Sequence, residues 1–215
     1  MATTAAIVCA YNEASRIGSV LRTLTSYSGF SEVVVVDDGS TDHTAWVAAA
    51  FPVRVIEHRE NLGKGVAMAT GAQATNASVL FFCDADIQGL TESEIAKLIA
   101  PVSKGALDMM IAQRDSPFYA LPGVVRITPH LSGVRAVSRG LWNRVPRFYK
   151  RRFMIEAALN YFADKGRGLD IRIVRSLRQT VKERKYGFMK GMAARIRMVL
   201  EVLYAYVQLR IKKGE

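Results

Sequence analysis

The stretch Val79-Leu80-Phe81-Phe82-Cys83-Asp84-Ala85-Asp86 decides the reading of the fold. A short, unbroken apolar run of this kind reads as a strand buried on both faces, the kind found in a parallel sheet covered by helices. It runs straight into two carboxylates. On an extended chain alternate residues share a side, so Asp84 and Asp86 can hold one hard divalent cation and, through it, the oxygens of a diphosphate. The competing reading of an isolated Asp-Ala-Asp triplet is a solvated turn, where aspartate is favoured for its loop conformations.

The same pattern repeats on either side. Short runs rich in Val and Ile alternate with stretches of helical period, the signature of βαβ units and hence of an α/β fold with a mostly parallel central sheet flanked by helices. Strands are expected at Ala5–Ala10, Val33–Asp37, Val53–Glu57, Val79–Cys83 and Asp108–Ala112, with helices at Ser15–Ser26, Thr41–Ala50, Gly63–Thr75 and Thr91–Ile99. Thr41 and Thr91 suit helix caps, and Glu94 three residues after Thr91 suggests a capping box. Ligands of an open parallel sheet gather beyond the carboxyl ends of its strands. The residues there are polar and acidic: Tyr11-Asn12-Glu13, then Asp37-Asp38-Gly39-Ser40, then Asp84-Ala85-Asp86.

In the second of these loops, Asp37 and Asp38 place acceptor-only side chains where a nucleobase imide or a ribose hydroxyl could be read. Ser40, Thr41 and Asp42 also suit a plain helix-capping turn, which accounts for the turn but not for the paired aspartates. The turn after the first strand, Ala10-Tyr11-Asn12-Glu13, has no glycine, which disfavours a dinucleotide-binding fingerprint. Gly63-Lys64-Gly65 lacks the spacing of a phosphate-binding P-loop and reads as a helix start facing the ligand crevice.

Composition bounds the rest. The 215 residues are 50% hydrophobic and 23% charged, a globular balance read as a single domain spanning 1–215. The charge is uneven. Residues 1–125 hold 8 basic and 13 acidic residues, whereas 126–215 hold 22 and 6, so the net +11 comes entirely from the second part. The first part would bind a metal readily. The second suits phosphate groups or an anionic membrane surface, or is a solvated basic face; nucleic acid is not expected, because no binding motif accompanies the charge. Cys9 and Cys83 fall inside apolar runs and read as small buried side chains. With no signal-peptide pattern and no long apolar span, a cytoplasmic location is expected, with the cytoplasmic face of a membrane as an extension of it. The oligomeric state is not legible.

Several segments recur together in a known order: IVCAYNEASRI (Ile7–Ile17), VVVVDDGSTDHT (Val33–Thr44), NLGKGVAMATG (Asn61–Gly71), VLFFCDADIQ (Val79–Gln88), IAQR (Ile111–Arg114) and SGVRAVSR (Ser132–Arg139). In these the chain resembles the family 2 glycosyltransferases of the GT-A fold, especially the branch of dolichyl-phosphate mannose synthases and related polyprenyl-phosphate sugar transferases. The resemblance implies transfer of a hexose from a UDP- or GDP-sugar. It implies that Ala10, Tyr11, Glu13, Asp37 or Asp38, Lys64 and Asp84 line the donor site. Asp86 is then the principal ligand of Mg²⁺ or Mn²⁺, with Asp84 and Gln88 beside it. Arg114 stands near an acceptor phosphate, a role suited to a bidentate guanidinium. A polyprenyl phosphate is the favoured acceptor and a soluble phosphorylated molecule or glycan the alternative. Nucleotidyl transfer and a non-catalytic basic binding module are the readings from other classes.

Beyond residue 140 the resemblance thins. In the basic half a strand is expected at Gly133–Val137, helices near Arg152–Lys165 and Lys190–Gln208, and a strand at Leu169–Val174. Glu156 is either a general base or a group that orients Arg135 or Arg139. Arg135, Arg184 and Lys190 complete the acceptor-phosphate candidates. The last helix carries an apolar stripe flanked by basic residues, as either a membrane-interface helix or one packed on the domain. The segment Arg144–Arg152 adds basic residues interleaved with aromatics.

Overall fold

The computed structural model describes residues 2–115, 132–179, 200–202, 204–205 and 207–209. Its centre is a seven-stranded sheet in the order β3-β2-β1-β4-β7-β6-β8. The strands are β1 (Thr4–Ala10), β2 (Glu32–Asp37), β3 (Arg54–Glu57), β4 (Val79–Asp84), β6 (Met109–Arg114), β7 (Arg135–Ser138) and β8 (Leu169–Val174). β7 runs antiparallel to both β4 and β6, and every other pairing is parallel. The carboxyl ends of the other six strands therefore share one edge. A separate two-stranded ribbon joins β5 (Ile87–Gln88) to β9 (Arg178–Gln179).

Helices α1 (Ile17–Ser26), α2 (Thr44–Ala49) and α4 (Glu92–Ser103) cover one face; α3 (Lys64–Gln73), α5 (Arg139–Arg144) and α6 (Met154–Asp164) cover the other. The strand alternation feeds both layers. Phe81 and Cys83 of β4 enter the core with Ile17, Leu21, Ile95 and Leu98, while Leu80 and Phe82 enter the opposite core with Met68, Trp142 and Leu159. This double burial explains the unbroken apolar runs, each fully buried Val, Leu, Ile or Phe contributing about 1.5–3 kcal/mol. α3 sits so close to β1 that a Cβ on Gly71 would stand 2.3 Å from Ile7 Cγ2.

The expected α/β architecture is present, with differences at the element ends. Helix α2 starts at Thr44, because Thr41 is drawn to Asn12 and Asp42 accepts the Thr44 amide at 3.0 Å. Thr91 caps α4 through the Glu94 amide at 3.3 Å, but the Glu94 carboxylate turns to Arg172 and Lys97 instead of closing a capping box. α4 also runs on through Pro101 to Ser103. Helix α5 and the β5–β9 ribbon, too short to show a period, were not expected. Of the last expected helix, 200–202, 204–205 and 207–209 are helical, and the remainder lies outside the described residues.

At the opposite edge of the sheet from the acidic loops, Asp108 precedes β6 and is 1% exposed. Its carboxylate accepts from the Arg167 amide at 2.9 Å, from Arg167 Nε at 3.0 Å, from Ser138 Oγ at 3.0 Å and from Arg144. Burial pushes this carboxyl up, but those donors outweigh it and hold its pKa well below the usual carboxylate range. A depressed folded-state pKa contributes stability above the unfolded value, near 4, and loses it as the pH falls towards the folded one. Both arginines are about half exposed, so Asp108→Asn should cost about 2 kcal/mol at pH 7, less than a fully buried pair. Urea unfolding of wild type and variant should show that gap narrowing as the pH drops below about 4; a gap constant with pH would contradict the assignment.

Candidate active site

The loops after β1 and β2 are stitched together by side chains. Asn12 adopts a φ of 55°, a left-handed conformation that asparagine tolerates. Its amide donates to Ser40 Oγ at 2.9 Å, and its own Oδ1 accepts from the Thr41 amide at 2.8 Å. The Glu13 amide donates to Thr44 Oγ1 at 2.8 Å, and Arg16 Nε meets Glu13 Oε2 at 2.5 Å. Ala10, Tyr11 and Glu13 thus stand at the carboxyl end of β1, in a turn whose shape comes from side-chain hydrogen bonds instead of glycine.

The paired aspartates divide their work. Asp37 accepts from Ser40, at 3.1 Å from its amide and also from its hydroxyl, through Oδ1 in both cases. Asp38 is 3% exposed and holds the next loop: it accepts from the Leu62 amide at 3.0 Å and the Gly63 amide at 2.8 Å, and its Oδ1 lies 2.8 Å from His58 Nδ1. The other ring nitrogen of His58 lies 2.9 Å from Thr70 Oγ1 on α3. Gly63, at a φ of 93°, makes the left-handed turn that starts α3. Asp38 therefore places the first residue of α3, Lys64.

Lys64 Nζ lies 2.7 Å from Asp84 Oδ1 at the end of β4 and 2.7 Å from Glu156 Oε1 on α6. The side chains are 18% exposed for Lys64 and Asp84, and 4% for Glu156. Burial alone would push the ammonium down, but the two carboxylates more than offset it and its pKa ends well above the ordinary lysine range. Gly133, just before β7, leaves room for Asp84: a Cβ there would stand 1.9 Å from Asp84 Oδ2. Asp86 follows, 9% exposed, between buried Ala85 and the β5–β9 ribbon. Burial pushes the neighbouring Cys9 and Cys83 thiols up, so both are protonated at neutral pH.

Among the acceptor candidates, Arg114 ends β6 and is exposed on the same sheet edge as Asp84. Neither carboxylate nearest in sequence claims it, since Asp115 pairs with Arg175 and Asp108 with Arg144 and Arg167. Arg135 is 0% exposed and its guanidinium bonds Ser132 O at 2.8 Å, the Glu156 carbonyl at 3.5 Å and Asn160 Oδ1 at 3.3 Å. Its guanidinium is buried and committed to these partners, so it is not presented to solvent as the exposed Arg114 is. Arg139 caps the end of α3 by bonding the carbonyls of Ala72, Thr75 and Ala77, so Glu156 orients neither its guanidinium nor, by its carboxylate, that of Arg135. Gln88 is exposed in β5. Arg184 and Lys190 lie outside the described residues. His58 and Gly133 escaped the sequence reading; a histidine twenty residues after Asp38 carries no spacing signal, and Gly133 was legible only as part of Ser132–Arg139.

Among the described residues, no group of three or more His, Cys, Asp or Glu side chains is arranged to hold a metal. Asp84 and Asp86 nonetheless fit one. A Mg²⁺-type ion takes one or two carboxylates and completes its octahedron with water and substrate phosphates, so two hard oxygen donors at a strand end are a sufficient protein share.

The glycosyl transferase family 2 model matches residues 5–178, and the chain belongs to that family. An uncharacterised protein of Methanocaldococcus jannaschii is 35% identical over 111 residues, which cover 50% of this chain and 45% of the relative. A dolichyl-phosphate beta-glucosyltransferase of Drosophila melanogaster is 38% identical over 96 residues, 37% of this chain and 29% of its own. The chain thus matches less than half the length of these relatives. The Mycobacterium tuberculosis glucosyl-3-phosphoglycerate synthase, solved with Mn²⁺, UDP-glucose and phosphoglyceric acid, superposes with a TM-score of 0.79 at 21% identity, over 97% of this chain and 79% of that one. At that identity the likeness is one of fold.

The ion cluster is directly testable. Lys64→Met leaves the Glu156 carboxylate buried without its cation, and a broken buried pair of this kind should cost about 3 kcal/mol in chemical unfolding. Adding Glu156→Leu should recover most of that loss; a double variant as unstable as the single one would mean that the two charges are not coupled.

Proposed function

We propose that the chain transfers a hexose from a nucleotide sugar, UDP- or GDP-linked, to a phosphate-bearing acceptor, with a polyprenyl phosphate favoured. The observation that carries this reading is the placement of a buried cation, Lys64, beside Asp84 at the end of β4, on a turn that Asp38 of the β2 loop holds. A nucleoside diphosphate leaving group needs positive charge at its phosphates and polar groups for its base and ribose, and that crevice offers both. The nucleoside is read by Ala10, Tyr11, Glu13 and Asp37. Asp37 serves better than Asp38, because its hydrogen bonds to Ser40 run through Oδ1 alone while Asp38 is committed to the Leu62–Gly63 turn.

Asp86 and Asp84 would hold the divalent ion, Mg²⁺ or Mn²⁺, which neutralises charge on the diphosphate when bound. The chain's own residues do the rest. Lys64 presents its ammonium to the departing diphosphate, and Glu156 keeps that ammonium charged and in place. Glu156 is thereby a positioning residue and not the base. A phosphate acceptor is already an anion at neutral pH: its oxygen forms the bond to the anomeric carbon as the bond from that carbon to the diphosphate breaks, and no proton needs removing. Arg114 receives the acceptor phosphate bidentately, and Arg184 and Lys190 are the sequence's further candidates for that role. The sequence relatives that act on dolichyl phosphate support a lipid acceptor.

Incubation with labelled UDP- and GDP-sugars and either a polyprenyl phosphate or phosphoglycerate tests the reading. Label should enter the organic phase with one donor, chelator should stop it, and Asp86→Asn should lower the rate by about 10²- to 10³-fold. Label confined to the aqueous phase would reassign the acceptor as soluble; no transfer from either donor would defeat the assignment.

A further inference from the structure

The C-terminal helix and the segment before α6 meet at one surface. Val202, Ala205 and Leu209 are buried in the core that holds Tyr149, Ile155 and Leu159, so the helix is docked on the domain. Its other side is open: Leu200 is 60% exposed, Tyr204 50% and Val207 52%. These fall at i, i+4 and i+7, a single stripe. Arg152 Nη1 reaches Glu201 Oε1 at 3.4 Å, which sets the helix against the segment Arg147-Phe148-Tyr149-Lys150-Arg151-Arg152. In that segment Phe148 is 46% exposed, and Arg147, Arg151 and Arg152 are exposed.

The same segment touches the donor site. A Cβ on Gly65 would stand 2.6 Å from the Arg151 amide nitrogen, and one on Gly63 would stand 3.1 Å from Arg152 Cγ. The basic segment thus lies between the turn that places Lys64 and the exposed stripe.

We propose that this surface docks the protein on an anionic lipid bilayer, with Leu200, Tyr204, Val207 and Phe148 entering the headgroup boundary and Arg147 and Arg151 meeting the lipid phosphates. Charge complementarity selects this occupant. The half of the chain that carries the surface holds 22 basic and 6 acidic residues, and the nearest acid, Glu201, is already paired with Arg152. An apolar stripe bordered by cations is the arrangement of interfacial helices. A second copy on the stripe would bring two basic segments together, and nucleic acid has no use for exposed Leu200 and Val207. Docking here would set the donor-site turn beside the bilayer, within reach of a lipid-borne acceptor. That consequence rests on the proposed function, whereas docking itself is read without turnover.

Co-sedimentation of the whole chain with vesicles of phosphatidylcholine, with and without phosphatidylglycerol, tests it. Binding should require the anionic lipid and weaken in about 0.5 M salt. Leu200→Ser/Tyr204→Ser/Val207→Ser and, separately, Arg147→Glu/Arg151→Glu should each bind about tenfold more weakly or worse. Calorimetric nucleotide affinity of the triple serine variant should match wild type, showing that it folds. Equal sedimentation of wild type and both variants would overturn the proposal, as would a dimer that the serine variant abolishes or tighter retention by DNA than by vesicles. Vesicle binding without any lipid-linked product would leave the docking surface standing and remove the lipid acceptor.

Discussion

The ammonium of Lys64, held at 2.7 Å by Asp84 and at 2.7 Å by Glu156, is the contact on which the geometry of the site depends. Removing three charged groups from water is costly, and their mutual attraction offsets the cost only if the geometry is kept. That requirement ties together three elements far apart in the chain: the start of α3, the end of β4 and the first turn of α6. Each partner is itself held. Asp38 and His58 set the turn that begins α3, Gly133 leaves space for the Asp84 carboxylate, and Arg135 bonds the backbone carbonyl of Glu156.

The two edges of the sheet use charge differently. At the carboxyl edge, polar loops bond to one another and Lys64 is held between Asp84 and Glu156. At the opposite edge, Asp108 is enclosed by Arg144, Arg167 and Ser138, a set that ties β6 to its neighbours. Strand β7 connects the two regimes. Because it runs against β4, its entry places Gly133 beside Asp84 and its exit places Ser138 beside Asp108.

Charge is also divided along the chain. The acidic first part builds the polar loops at the carboxyl edge of the sheet. The basic second part carries the segment Arg147–Arg152, which lies against the Lys64 turn. Among the described residues no helix is long and apolar enough to cross a membrane. The exposed stripe of Leu200, Tyr204 and Val207 offers a different kind of contact with lipid, one made along a surface.

The parallel sheet was legible because strands covered on both faces must be apolar throughout, and Val33–Val36 and Val79–Cys83 are. The place of the acidic loops at the carboxyl edge was legible because loops follow such strands directly, so local order along the chain is enough to set Asp37, Asp38, Asp84 and Asp86 on one edge of the sheet. Family membership followed from those same segments. What each charged side chain does was decided only by the folded structure. Arg114 and Arg135 are both arginines at sheet-strand ends, yet one is exposed and the other wholly buried against Ser132, Glu156 and Asn160. Asp37 and Asp38 are adjacent, yet one bonds its own turn and the other a loop more than twenty residues away. An ion pair such as Lys64 with Glu156 joins residues 92 positions apart, and no periodicity or spacing encodes a contact that depends on how two helices of one layer pack side by side on the sheet.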